Sequence, residues 1–144
     1  MSGLTAAMHA HRGDVRHLAR HQVMGLAVQF LLGVAVGLIG LPSQARGGAQ
    51  TASTVFLAAH VVIALGLAVG AILVIRATAG LPDQSRRLAI LGTAAIAAAI
   101  AAGVLTMTTR SNWWSYGMAL GFIAALLAYG GLLVQAGPRA GTSE

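Results

Sequence analysis

The sequence predicts an all-α fold, a four-transmembrane-helix bundle with the N-terminus and the C-terminus both in the cytoplasm. Of the 144 residues, 57% are hydrophobic and 8% are charged, whereas a soluble domain of this size normally carries about 25% charged residues. The chain also contains four apolar runs, each close to the roughly 20 residues with which an α-helix crosses about 30 Å of hydrocarbon. Lipid must therefore replace the polar surface that this chain lacks.

The clearest apolar run is Val55 to Ile75, VFLAAHVVIALGLAVGAILVI, which carries no formal charge and a single histidine. The whole chain is expected to form a single membrane domain, residues 1–144. Its remaining parts, in chain order, are predicted as a basic cytoplasmic arm at 1–22, further spans at 23–41, 88–107 and 113–134, and a cytoplasmic tail at 135–144.

Turn-forming residues separate the predicted spans. Pro42 ends the first span, and a Gly- and Ser-rich loop, 43–54, follows it. Pro82 and Asp83 predict a turn, after which Gln84 opens the third helix. The third connection, 108–112, is so short that the last two helices must be antiparallel neighbours.

The distribution of arginine predicts the orientation of the chain. With the N-terminus in the cytoplasm, Arg46 and Arg110 lie outside and all other arginines lie inside, namely Arg12, Arg16, Arg20, Arg76, Arg86, Arg87 and Arg139. This bias follows the positive-inside rule and favours a multi-pass protein of the bacterial cytoplasmic membrane, with the lipid bilayer as its main partner. Because the arginines flank apolar runs instead of forming a face on a polar fold, no nucleic-acid partner is expected.

Small residues recur four positions apart in every span and predict close helix packing, because helices in lipid associate through tight backbone contacts. Such faces also allow a homo-oligomer or a larger membrane complex. The small-residue pairs and triplets are Gly33 with Gly37, Gly66 with Gly70, Ala95 with Ala99 and Gly103, and Gly117 with Gly121.

His60 lies about 8 Å into the predicted hydrocarbon, where an ionisable side chain is a functional candidate by default. Three uses remain open. The imidazole can hydrogen-bond Thr106, Ser115 or a backbone carbonyl and so fix helix packing. It can ligate haem b together with Met118, which lies at a similar depth, because His and Met form an axial pair. It can also belong to a proton or solute path.

Further polar residues predict packing contacts or a surface site. Gln29 and Tyr129 lie at comparable depth, and a hydrogen bond between them would join the first and last helices with about 0.6 to 2 kcal/mol. Arg110, Asn112 and Ser115 cluster at the predicted outer mouth. That cluster can bind an anion or a partner, or form an ordinary solvated rim.

No motif indicates an enzyme, and we predict no catalytic residue and no resident cofactor. The chain has no cysteine, which excludes disulfides and thiolate metal sites. His17 and His21 share a helix face, but no carboxylate or third ligand accompanies them in sequence, so a solvated basic collar is favoured over a metal site.

Several segments resemble a group of small bacterial four-helix membrane proteins, mostly without assigned function. The resembling residues are QFLLGVAVGLIGLP (Gln29 to Pro42), His60 followed by GLAVGAILVIR (Gly66 to Arg76), and Gly103 with Asn112, Ser115, Met118 and Tyr129. Such proteins often carry Asn where Gly37 stands in this chain. The resemblance covers all four spans and implies the topology, without implying an activity.

The sequence thus favours a non-enzymatic accessory or assembly partner in the membrane, acting through its small-residue faces. The first alternative is a haem b or quinone-linked electron carrier that uses His60 and Met118. The second alternative is an oligomeric conduit for protons or small solutes.

Overall fold

The computed structural model describes residues 2–109 and 111–136, with side chains from Gly13 onward except that of Asn112. It contains four α-helices: α1 (Ser2–Ile39), α2 (Gly48–Ala77), α3 (Asp83–Thr109) and α4 (Asn112–Gln135). Each helix includes a segment long and apolar enough to cross a membrane. The all-helical class and the four predicted helices are therefore confirmed, while predictions that concern Arg110, Arg139 and the last residues lie outside the described part.

Helix α1 is longer than the predicted first span, because most of the basic arm belongs to the same helix. Its 38 residues correspond to about 57 Å of helix. Val15 and Ala19 are fully buried, so one face of the arm packs against the bundle while Arg16 and Arg20 remain exposed. The helix ends at Gly40, whose φ of 90° is a conformation that residues with a Cβ rarely adopt.

Helix α2 also begins earlier than predicted, since residues 48–54 form its first turns instead of a loop. Ala49 and Ala52 favour helix in this segment. Ser53 is fully buried, and its Oγ donates a hydrogen bond of 2.6 Å to the carbonyl of Gly40. That bond satisfies a carbonyl near the end of α1, which the helix itself leaves without a partner.

The four helices form a closed arrangement of antiparallel neighbours. Helix α1 packs against α2 and α4, α3 packs against α2 and α4, and no contact joins α2 to α4 among the described residues. The contact between α3 and α4 is the most extensive, as the short third connection predicted. Phe30 of α1 stacks on Phe122 of α4 with ring centroids 5.3 Å apart.

The tightest packing lies toward one end of the bundle, called here the arginine-rich end because it carries Arg16, Arg20, Arg76, Arg86 and Arg87. The fully buried apolar residues of the described part all lie in this half: Val15, Ala19, Ala71, Val74, Ala89, Ala125, Tyr129 and Leu132. Nearer the opposite end, Leu38 is 84% exposed and Trp113 is 80% exposed. Side chains of this kind suit a hydrocarbon environment and not water.

Small residues let α3 and α4 approach closely, as their spacing predicted. A Cβ built on Gly121 would lie 2.9 Å from the carbonyl oxygen of Ala95 and 3.0 Å from the Cβ of Ala99. A Cβ built on Gly103 would lie 3.4 Å from the Sδ of Met118. By contrast, Gly37 has no atom within 4 Å of such a Cβ, so the small-residue face of α1 is only partly covered.

Candidate functional site between the first two helices

His60 lies in the contact between α2 and α1, where it packs on a glycine. A Cβ on Gly33 would lie 3.4 Å from the imidazole Cε1 and 3.8 Å from Nδ1, and the ring interacts with the backbone of Gln29. The Nδ1 atom of His60 is buried without a hydrogen-bond partner. The Oε1 atom of Gln29 is likewise buried and unpaired, so two polar atoms of neighbouring helices lack partners at the same level.

Gln22 forms a second polar contact between the same helices, nearer the arginine-rich end. Its side chain is 3% exposed, and its Nε2 donates a hydrogen bond of 3.1 Å to the carbonyl of Leu67. The side chain lies directly over Gly70, where an added Cβ would collide with Nε2. Its Oε1 is buried without a partner.

These three residues define what we call the polar seam: Gln22, Gln29 and His60, along the contact of α1 with α2. Gln22 and Gln29 are seven residues apart, which places them on one face of α1 about 10 Å apart along the helix axis. All the unpaired buried side-chain atoms of the described residues belong to this seam. An unpaired polar atom in an apolar environment costs roughly 1 to 3 kcal/mol, so the seam is the least satisfied contact in the bundle.

Tyr129 does not pair with Gln29, and the predicted hydrogen bond between the first and last helices is wrong. The ring of Tyr129 instead lies on Gly92 of α3, where an added Cβ would approach two ring carbons to 2.8 Å. Its hydroxyl lies 3.3 Å from the Oγ1 of Thr93, which donates a 2.8 Å bond to the carbonyl of Ala89. Tyr129 therefore donates to Thr93 and joins α4 to α3.

The structure does not bring His60 together with Met118. Met118 packs on Gly103 in the contact of α3 with α4, whereas His60 packs on Gly33 between α1 and α2. The two helices that carry them, α2 and α4, occupy opposite corners of the bundle. Thr106 does not pair with His60 either, since its Oγ1 donates a 2.9 Å bond to the carbonyl of Ala102 within its own helix.

The remaining candidates lie at the two ends of the bundle. The rings of His17 and His21 have centroids 4.8 Å apart and are tilted by 30°, and the Nδ1 of His21 donates a 2.8 Å bond to the carbonyl of His17. No group of three metal-ligating side chains occurs among the residues whose positions are described. Of the outer-mouth cluster, Ser115 is part-buried, while Arg110 and the side chain of Asn112 lie outside the described part.

Two residues of these polar contacts were not predicted. Gln22 was assigned to the basic arm, although its seven-residue spacing from Gln29 places both on one helix face. Thr93 occurs in an alanine-rich run, where no periodic signal distinguishes a buried hydroxyl. Its neighbour Gly92 marks the site where the ring of Tyr129 packs, but this role can be recognised only after the structure places Tyr129 against it.

Comparisons with family models, with curated proteins and with solved structures give no match for this chain. The class of this protein is therefore inferred from its own sequence and structure. Four long apolar helices with large apolar side chains facing outward indicate a multi-pass membrane protein. Within that class, the distinguishing feature is the polar seam between α1 and α2.

Proposed function

We propose that this chain is a non-enzymatic accessory or assembly partner in the bacterial cytoplasmic membrane, with both termini in the cytoplasm. The observation that carries the proposal is the position of Gly37, which is exposed and uncovered, about two turns beyond Gln29 and one turn beyond Gly33, on which His60 packs. A helix of another protein can approach α1 closely at such a glycine. Polar groups on that helix would pair with the seam once α1 and α2 move apart, because the unpaired atoms of the seam are buried between these two helices.

The contact of α3 with α4 supports different roles for the α1–α2 pair and the α3–α4 pair. There, Gly121 is covered by Ala95 and Ala99, and the hydroxyl of Tyr129 is paired. This pair is a closed scaffold. The partner-binding role is therefore assigned to α1 and α2, where Gly37 is not covered by another helix and the buried polar atoms of the seam have no hydrogen-bond partner.

The proposal is tested by extracting the tagged protein from bacterial membranes with a mild detergent and measuring the mass of the particle. We expect a stable complex larger than the 14.5 kDa chain. Gly37→Leu fills open space in the isolated bundle and is expected to dissociate the complex. Gly130→Leu is the matched control, since a Cβ at Gly130 also meets nothing within 4 Å.

Two results would contradict the accessory role. One is a solitary monomer from wild-type membranes under extraction conditions that preserve known membrane complexes. The other is equal loss of the complex in Gly37→Leu and Gly130→Leu, which would indicate a general effect of bulk on the lipid-facing surface.

A conduit formed by an oligomer is the second candidate, and the polar seam favours it. Gln22, Gln29 and His60 form a polar line along the apolar middle parts of α1 and α2. Flux of protons or small solutes into proteoliposomes that falls in His60→Leu would support this function. Absence of flux across a panel of ions and small solutes would count against it.

A further inference from the structure

Two neighbouring grooves lie on the α1–α2 face, the outer one at the arginine-rich end of the bundle. The outer groove has a volume of about 520 Å³ and is lined by Asp14, His17, Leu18, Leu73, Arg76 and Ala77. The inner groove has a volume of about 360 Å³, and Leu18 lines it as well, with Gly25, Val62, Ile63 and Gly66 among its other residues. Because Leu18 lines both, the two grooves lie next to each other on this face, and we call the outer groove its charged end and the inner groove its apolar end.

The charged end suits a phosphate group. Arg76 and His17 line it from opposite helices, and a guanidinium group can hold two phosphate oxygens at once. Asp14 lines the same groove and repels a bare phosphate, but its carboxylate accepts hydrogen bonds from hydroxyl groups. This combination favours a phosphodiester headgroup that carries hydroxyls over inorganic phosphate.

The apolar end suits a hydrocarbon chain. A Cβ on Gly66 would meet nothing within 4 Å, so there is free space above this glycine in the inner groove. Val62 and Ile63 line the same groove. From Val62 to Arg76 the face extends about 21 Å along α2, which exceeds the roughly 15 Å of hydrocarbon in one leaflet.

Gln22 lies one helical turn from Leu18 and lines the inner groove, where it supplies a second, independent observation. Its side chain is 3% exposed and lines the inner groove, yet its Oε1 has no hydrogen-bond partner. This acceptor is buried beneath the groove surface, so a shift of the Gln22 side chain would bring it to a donor in the polar part of the ligand. The seam is thus unsatisfied where a polar group would enter between the helices.

We propose that this face binds one anionic phospholipid, with its phosphate on Arg76 and His17 and one acyl chain along the groove over Gly66. The site does not depend on the accessory role, since it is built from residues of this chain alone.

The charged end is tested by native mass spectrometry of the full-length protein after incubation with phosphatidylglycerol or phosphatidylcholine. We expect one phosphatidylglycerol molecule to remain bound after detergent is removed, and less phosphatidylcholine. Arg76→Gln should weaken phosphatidylglycerol binding about fivefold, the factor equivalent to the roughly 1 kcal/mol that one cation near an anionic membrane surface contributes. Arg46→Gln, at the opposite end of the bundle, is the matched control and should bind normally.

The apolar end is tested in the same assay with Gly66→Leu, which fills the groove, and Gly130→Leu, which adds the same bulk to α4. Retention of phosphatidylglycerol should fall in the first variant and persist in the second, and excess glycerol phosphate should not displace the lipid. Equal binding of the two lipids or an unchanged Arg76→Gln variant would overturn the proposal. So would equal effects of the two leucine substitutions, displacement by glycerol phosphate, or preferential retention of a quinone.

Discussion

The imidazole of His60 lies on Gly33 with its Cε1 3.4 Å from the position of an added Cβ, and its Nδ1 is buried without a partner. The Oε1 of Gln29, on the same face of α1, is also unpaired. Because a buried polar atom without a partner is less favourable than an apolar atom of similar shape, these residues do not stabilise the isolated bundle. Their contribution is expected in contact with another molecule.

Apolar replacement of these two residues should therefore leave the isolated protein intact. We expect His60→Leu and Gln29→Leu to leave the free energy of unfolding unchanged or to raise it by up to about 1 kcal/mol, since each removes an unpaired polar atom. The measurement is loss of helicity on titration with sodium dodecyl sulfate in mixed micelles.

Leu67→Ala provides the calibration for that titration. Leu67 is 7% exposed and packs on Gly25, so its truncation should cost about 2 to 5 kcal/mol. A loss of more than about 1 kcal/mol in His60→Leu would contradict this prediction and would show that the interaction of the imidazole with the backbone of Gln29 stabilises the bundle.

Thr93→Val should destabilise the bundle by about 0.6 to 2 kcal/mol, because it leaves the hydroxyl of the fully buried Tyr129 without an acceptor. Thr108→Val is the matched control, since its Oγ1 is exposed and bonds only carbonyls of its own helix. The same titration measures both. Equal stability of the two variants would indicate that the hydroxyl pair contributes nothing.

Gly92→Ala should cost about 1 to 3 kcal/mol, because the added methyl group would approach the rigid ring of Tyr129 to 2.8 Å. Gly130→Ala adds the same atom where nothing lies within 4 Å, and its effect should stay within about 0.5 kcal/mol. If Gly92→Ala proved neutral, the close approach of α3 and α4 at this level would be wrong.

Protein purified from cells supplied with haem should be colourless. The reason is that His60 and Met118 pack in separate contacts, on helices at opposite corners of the bundle, so the predicted axial pair is not formed. An absorption spectrum of the purified protein is the measurement. A Soret band that disappears in His60→Ala would contradict this arrangement.

Helix number and the closeness of α3 to α4 could be predicted because they depend on local features. Apolar run length determines which segments can cross a membrane, and the short third connection requires the last two helices to be antiparallel neighbours. The small residues of α3 and α4 meet as their spacing indicated, with Gly121 against Ala95 and Ala99.

The polar contacts could not be predicted, because they depend on which helix faces which. Their similar predicted depth in the membrane indicated a contact of Gln29 with Tyr129. In the structure the ring of Tyr129 packs on Gly92 of α3 instead, and its hydroxyl lies beside Thr93. Depth likewise suggested Thr106 or Met118 as neighbours of His60. His60 instead packs against Gly33 of α1, because the missing Cβ of this glycine leaves room for the imidazole.

The most direct test of the whole account is the reaction of single introduced cysteines with a membrane-impermeant maleimide in intact cells. The chain has no cysteine of its own, and both Ser43, between α1 and α2, and Gln84, at the start of α3, are exposed. We predict that Ser43→Cys is labelled from outside and that Gln84→Cys is labelled only after the membrane is permeabilised. Labelling of both from outside, or the reverse pattern, would contradict a bundle that crosses the membrane with its arginine-rich end in the cytoplasm.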